Sequence, residues 1–315
     1  MENHYPALAA DIVQLDGYLR IERPDGLRCC IGGLSPALQK AVATLGHADT
    51  NPDQNLNLAT PDELAFDRLV DDLRGKGLLT RPDTDPPLRV ALIGTHALAL
   101  QIGLALLRLP IRLIICHSEP PRRSLGSLRT FRTPRQLAEK LRHAATDAAL
   151  VTLGGHWMDL TPAACDLVII AADTIAADRA ITALLLRREV AHLSVTAHLD
   201  SAAVGPLVDT RGGSCLTCTD HYRTDFDPDW PLVVSELAAM EAHPNPLLIQ
   251  WAATETALAT YWFRQGHNVL RSLTLHADLT HPGVTRRKWL AHPECACAPA
   301  TPCAPATPAP LAIAA

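Results

Sequence analysis

Four cysteines stand in two closely spaced pairs, Cys215 and Cys218 in "GGSCLTCTDHYRTD" and Cys295 and Cys297 in "AHPECACA". A Cys-x-x-Cys pair can be a redox dithiol, half of a metal site, or two unrelated thiols. A redox pair opens a helix directly after a strand. Here Gly212 and Gly213 precede the pair in an apparent turn, which is closer to a zinc knuckle. A tetrahedral zinc site takes four soft ligands, usually as two chelating pairs. The second pair has a tighter spacer than usual, but both of its thiolates can reach one ion. The expected site is therefore zinc on Cys215, Cys218, Cys295 and Cys297, with four surface or core thiols as the other reading. Four thiolates leave no coordination position for water, so such an ion is structural and not catalytic. Cys29, Cys30, Cys116 and Cys165 fall on or beside strands and read as core; Cys303 has no assigned role.

A second group of residues lies where a nucleotide could bind. "RVALIGTHALALQIGLALL" joins a solid apolar strand to a helix, the usual place for a phosphate loop. The dinucleotide pattern needs three glycines, so that the backbone can turn and approach a pyrophosphate at the helix N-terminus. Gly94 is present, but His96 and Ala99 fill the other two places. "IRLIICHSE" ends in Cys116-His117 where a ribose-binding acid is expected, so ATP is not expected as a cofactor. Asp173, at the end of "DLVIIAAD", is either a metal–phosphate contact or the cap of the helix that follows, and the cap is the reading adopted. In "HYRTDFDPDWP", Asp227-Pro228 reads as an N-cap and first helical residue. His221, Arg223, Asp225 and Trp230 form an interaction surface or a local ion-pair cluster. Neither Gly-x-Ser-x-Gly nor His-Glu-x-x-His occurs.

These residues need elements to hold them. Residues 1–82 read as a small α+β, winged-helix-like unit. Three strands near 11–15, 18–22 and 27–31 are separated by Asp16-Gly17 and Asp25-Gly26, which are hairpin signals. Ser35-Pro36 opens a helix to about residue 45. "TPDELAFDRLVDDLRGKGLL" is a second helix, with Thr60 as cap, Glu63 completing a capping box and an apolar stripe that includes Leu64, Phe66, Leu69, Val70 and Leu73. Residues 83–88 form a Pro-rich linker. From 89 to 298, solid apolar strands alternate with helices at about 97–108, 134–145 and 176–190. That pattern defines an α/β fold: a doubly wound, mostly parallel sheet covered on both faces. Residues 299–315 are an Ala/Pro tail expected to be disordered.

Composition limits the partners. No apolar run approaches the roughly 20 residues of a membrane span, and the first 20 residues lack the pattern of a signal peptide. The expected location is cytoplasmic, where cysteines are more often ligands or core thiols than disulfides. Residues 1–86 carry 8 Lys/Arg against 14 Asp/Glu. An acidic N-terminal unit is a poor match for a phosphate backbone, so nucleic acid is not an expected partner. That also disfavours a DNA-binding regulator.

"VGPLVDTRGGSCLTCTDHYRTDFDPDWP" followed by "HPECAC" resembles the ThiF-like proteins of azole-forming and thiopeptide biosynthesis, including thiazole/oxazole-modified microcins. The likeness runs from about Arg89 to Cys297. "VIIAADTIAADR" is similar to the region that in adenylating relatives accompanies a Gly-rich loop and a ribose-binding Asp. His96, Ala99 and Cys116-His117 replace those features, leaving Gly94, His96 and Asp173 as a degenerate nucleotide site. The first unit resembles the PqqD-like recognition element, in which a leader peptide adds as a strand beside the third strand and lies on the last helix. On this chain the resemblance implies a peptide groove at Arg28, Cys29, Cys30, Ile31, Phe66, Leu69, Val70 and Leu73. It implies a non-catalytic protein that binds the leader of a ribosomally made precursor and docks a YcaO-type, ATP-dependent cyclodehydratase, with a homodimer as a possible state. The alternative is an active ThiF-like adenylyltransferase that forms an acyl-adenylate on a peptide or carrier protein.

Overall fold

A computed structural model describes residues 11–15, 18–22, 28–44, 60–75, 86–117, 133–147 and 150–297. The chain divides into two units, residues 1–86 and 87–315. In the first, β1 (Asp11–Leu15), β2 (Tyr18–Glu22) and β3 (Arg28–Gly32) form an antiparallel sheet in that order. Two helices follow, α1 (Pro36–Thr44) and α2 (Thr60–Gly75). Ser35 caps α1, its Oγ accepting from Leu38 N at 3.1 Å and donating to Asp62 of α2 at 3.1 Å. Alternation along the strands sends Leu19 and Ile21 into the core, with Cys29 and Ile31 packed against it. The same alternation exposes Cys30, which corrects its assignment to the core. The Asp-Gly turns and the segment between the helices lie outside the described residues.

The second unit carries the larger sheet. Its strands are β4 (Leu88–Ile93), β5 (Ile111–His117), β6 (Val151–His156), β7 (Leu167–Ala171), β8 (His192–Ala197), β9 (Ser201–Val208), β10 (Leu273–Asp278) and β11 (Val284–Lys288). Their order is β11-β10-β9-β8-β7-β4-β5-β6. The five strands from β8 to β6 run parallel, and β9, β10 and β11 extend the sheet antiparallel. Five helices accompany it: α3 (Ala97–Leu106), α4 (Pro134–Ala144), α5 (Arg179–Arg187), α6 (Leu216–Thr224) and α7 (Trp230–Leu237); the longest, α8 (Pro246–Arg264), is a sixth. One face of the sheet packs on α3, α4 and α8 through residues such as Leu98, Ile102, Leu141 and Ala252. The other face packs on α5 and on Trp157 and Leu160. Covering both faces is why β4 and β7 read as unbroken apolar runs, and all five residues of β7 are buried.

Several boundaries differ from the sequence expectation. The helix expected from 176 begins at Arg179, because Asp178 supplies its cap, accepting from Ala180 N at 2.8 Å. Asp227 does not cap α7; its Oδ1 accepts from Asp229 N at 3.1 Å in a turn, and the helix starts at Trp230. The sheet continues through the linker end, since β4 begins at Leu88. The hairpin β10–β11 was not expected. The tail and Cys303 lie outside the described residues.

The start of β4 is fastened by a carboxylate. Asp166 accepts from Arg89 N at 2.8 Å and Nε at 3.2 Å through Oδ2, and from the guanidinium at 2.6 Å through Oδ1. Burial pushes the Asp166 carboxyl up, but the Arg89 hydrogen bonds outweigh it and hold the group below its ordinary range. A depressed carboxyl stabilises the fold above its unfolded pKa and loses that contribution as pH falls through its native value. Asp166→Asn is therefore expected to cost about 1 kcal/mol near neutrality, discounted because the pair is partly exposed, and the difference from wild type is expected to vanish in acid. Urea unfolding of both proteins, followed from pH 7 downward through the native carboxyl's titration, measures both values.

Candidate functional site

Two places in the second unit gather chemistry. The first is the switch point of the sheet, where β4 turns one way to β5 and β7 turns the other way to β8; ligands of doubly wound folds bind there. Gly94 follows β4 and Asp173 follows β7. Gly94 adopts φ of +129°, and a Cβ on it would lie 2.3 Å from the Ala171 carbonyl oxygen. Close approach of β7 thus requires the glycine whether or not a phosphate binds.

Asp173 does not cap a following helix; it caps the loop before α3, which corrects the adopted reading. Its carboxylate accepts from Thr95 N at 2.9 Å, Thr95 Oγ1 at 2.9 Å and His96 N at 2.9 Å. These amides belong to His96, the N-cap residue of α3, and to the residue before it. Unsatisfied amides at a helix start attract anions. In this chain the anion is supplied internally, by a residue 77 positions away in sequence. Beside it a groove of about 670 Å³ runs past Trp157, Asp178 and Arg179 to α7. Arg179 is already engaged, its guanidinium gripping Asp220 at 2.6 and 2.9 Å. Asp220 also accepts from Trp230 Nε1 at 2.9 Å, tying α5, α6 and α7 together. Cys116 and Cys165, both buried near this face, are inert thiols: burial pushes them up to about 12 and about 11.

The second place is the cysteine cluster. Gly212 and Gly213, with φ of +83° and +122°, turn the chain out of β9. Cys215 is the N-cap residue of α6 and Cys218 lies in its first turn, so the pair does open a helix. The segment after β11 returns to it, with Trp289 Nε1 donating to Thr274 Oγ1 at 3.0 Å and His292 Nε2 donating to Asp225 at 3.3 Å. His292 also stacks on His221 with centroids 4.8 Å apart. This docking brings Cys295 and Cys297 to the first pair. The sulfurs lie 3.9 Å apart for Cys215–Cys218, 3.6 Å for Cys215–Cys295 and 3.2 Å for Cys218–Cys297. With metal–sulfur bonds of about 2.3 Å, the edge of a tetrahedron of sulfurs is about 3.8 Å. All four sulfurs lie within 4.8 Å of one another, and three of the four cysteines are buried, so the cluster can hold one metal ion.

Crowding makes these thiols unequal. Hydrogen bonds with Cys215 and Cys297 draw Cys218 well below the ordinary thiol range, and those with Cys215 and Cys218 push Cys297 well above it. Burial raises Cys295. Metal binding must therefore displace protons. His221, His292 and Glu294 form another close group, but both nitrogens of His292 are taken, Nδ1 by Glu294 N at 3.2 Å and Nε2 by Asp225. Ligation through His292 would break one of those bonds.

The expected peptide groove divides under the same scrutiny. Phe66, Val70 and Leu73 are buried in the first unit's own core, which corrects their assignment to a peptide-facing stripe. Leu69 is partly buried against that core, and Leu64 is exposed. Arg28, Cys29, Cys30 and Ile31 belong to β3, an edge strand that among the described residues pairs only with β2. Thr95 and Asp220 were not singled out from sequence, whereas Arg179 closes the "VIIAADTIAADR" stretch that carries part of the resemblance. The Asp173–Thr95 and Arg179–Asp220 pairs each join residues far apart in the chain, and no local pattern marks them.

Fold and switch-point site together define a Rossmann-type α/β protein with a cysteine cluster able to hold a metal ion such as zinc. Among solved structures it is similar to Escherichia coli MccB with succinimide, at 11% identity and a TM-score of 0.55, covering 93% of this chain and 99% of MccB. It is similar to the microcin C7 biosynthetic enzyme MccB in complex with N-formylated MccA, at 10% identity and a TM-score of 0.55, covering 92% and 98%. A heterocyclase in complex with substrate and cofactor matches at 11% identity and a TM-score of 0.55, over 91% of this chain and 38% of that one. No protein-family model and no curated protein sequence matches the chain. No helix among the described residues is long and apolar enough to cross a membrane.

Proposed function

We propose that this chain binds the leader of a ribosomally made precursor peptide and presents it to a YcaO-type, ATP-dependent cyclodehydratase, and that it is itself non-catalytic. The observation that carries the second half is Asp173, whose carboxylate is held by the amides of Thr95 and His96 at the start of α3. The first half rests on the edge of β3, which can accept an extended peptide as a fourth strand along Arg28–Ile31. It is supported by the likeness to MccB in complex with MccA and to a heterocyclase in complex with substrate. Leu64 and Leu69 of α2 are the apolar residues left for peptide side chains. Tethering a leader raises the effective concentration of the core peptide at the partner enzyme. Zinc on the four cysteines is structural and fixes the C-terminal segment to α6.

The test is fluorescence anisotropy with a labelled leader peptide encoded beside this gene, titrated with the full chain. Saturable binding in the low-micromolar range or tighter is expected. Ile31→Pro, which removes a backbone donor from β3, is expected to weaken it about tenfold or more; absence of binding by the wild-type chain overturns the leader-capture role. A second reading has one observation in its favour. The groove of about 670 Å³ at the switch point has the size of a ligand site, as an active adenylyltransferase requires.

A further inference from the structure

A smaller cavity of about 290 Å³ lies on the other side of the 175–179 segment, between α6 and strands β8, β9 and β10. Its mostly apolar lining includes several polar side chains. The Ser194 hydroxyl is buried and has no hydrogen-bond partner, on a residue only 4% exposed. His276 Nε2 is likewise buried and unpartnered. Thr274 Oγ1 accepts from Trp289 Nε1, which leaves its own proton to donate. Arg223 reaches the cavity from α6 and lies 4.4 Å over the Trp230 ring. Among the described residues its guanidinium has no hydrogen-bond partner. Buried polar groups are normally satisfied, so several unsatisfied ones converging on one cavity point to a missing ligand.

The charge balance gives the sign of that ligand. Arg179 and Arg287 both act on Arg223, and the one carboxylate that offsets it is Asp220, whose oxygens already serve Arg179 and Trp230. His276 feels both Arg223 and Arg287 and is held, first by burial and then by those cations, toward its neutral form. A cation in surplus beside two unpartnered polar atoms suits an oxyanion, and the apolar side chains of Ile175, Leu216 and Leu237 that also line the cavity suit an apolar body attached to it.

We infer that this cavity is a binding site for a small ligand bearing a carboxylate or phosphate on an apolar body, held by Arg223, Ser194 and His276. It is separate from the Asp173 groove and does not require the amides of α3. Isothermal titration of the full chain tests it with three probes: inorganic phosphate, N-acetylphenylalanine and N-acetylphenylalaninamide. Saturable binding of the acid is expected, with the amide at least about tenfold weaker. Arg223→Gln and Ser194→Ala are each expected to weaken acid binding about tenfold. Ser194→Ala removes only one hydroxyl, so it keeps the test informative if Arg223→Gln fails to fold. Phosphate binding that is lost in Ser194→Ala, without binding of the acid, identifies a phosphate ligand. Equal affinity for acid and amide, wild-type binding in Ser194→Ala, or no saturable binding of phosphate or acid overturns the inference. Leader binding by the first unit is read separately and is expected to be unaffected in either variant.

Discussion

Removing the metal from the four-cysteine cluster is expected to lower the midpoint of thermal unfolding by ten degrees or more. Structural zinc sites contribute about 10–16 kcal/mol of apparent binding free energy. In a unit of this size, each 1 kcal/mol moves the midpoint by about 2–4 °C. Only part of the binding energy is lost on chelation, because the β10–β11 hairpin, Trp289 and His292 still hold the returning segment. Cys218→Ser is expected to cost more than Cys297→Ser, since Cys218 is fully buried and bonds to both pairs while Cys297 lies at the rim. Cys30→Ser, on the exposed face of β3, is the control and is expected to change nothing. Metal analysis beside thermal unfolding, with and without chelator, makes the measurement. Less than about half an equivalent of zinc together with an unmoved midpoint would remove the metal centre and leave four packed thiols.

Asp173→Ala should produce the second large effect, and it separates the two readings of the groove. The substitution removes a carboxylate that accepts from two amides and a hydroxyl, and it leaves the start of α3 without an anion. Hydrogen bonds to a charged group contribute about 1.5–3 kcal/mol each, and those of one side chain do not add fully, so a loss of about 3–4 kcal/mol is expected. The functional measurement is exchange of labelled pyrophosphate into ATP. Background exchange is expected from wild type and variant alike, because the amides are occupied in the first and no glycine loop forms in the second. Robust exchange by wild type, abolished in Asp173→Ala, would instead make Asp173 a working metal ligand and the protein an adenylyltransferase.

Much of the architecture can be read from local pattern because the responsible forces are local. Solid apolar runs such as "DLVIIA" must be covered on both sides, and that requirement specifies the parallel sheet before any coordinates exist. Ser35-Pro36 marks a helix start because a hydroxyl followed by proline satisfies the first turn. The cysteine pairs are legible because metal ligation restricts residue type and spacing together. Position 173 shows where such reasoning stops. A carboxylate after a strand can cap the next helix or the previous loop, and only the sheet order, which sets β7 against β4, decides between them. The β10–β11 hairpin escaped for a different reason: all five residues of β11 are exposed, so it carries no burial pattern, only pairing. For α2 the apolar stripe was visible, but a stripe alone does not say whether it faces a ligand or its own sheet.

The cysteine cluster also bears on how the chain is made. Cys215 and Cys295 are 80 residues apart in sequence, and everything from α6 to β11 lies between their contributions to one centre. During synthesis the first pair leaves the ribosome long before the second, and for that interval it can offer only two of the four sulfurs. The antiparallel edge of the sheet and its staple must therefore be completed together and late, after the parallel core has had time to assemble.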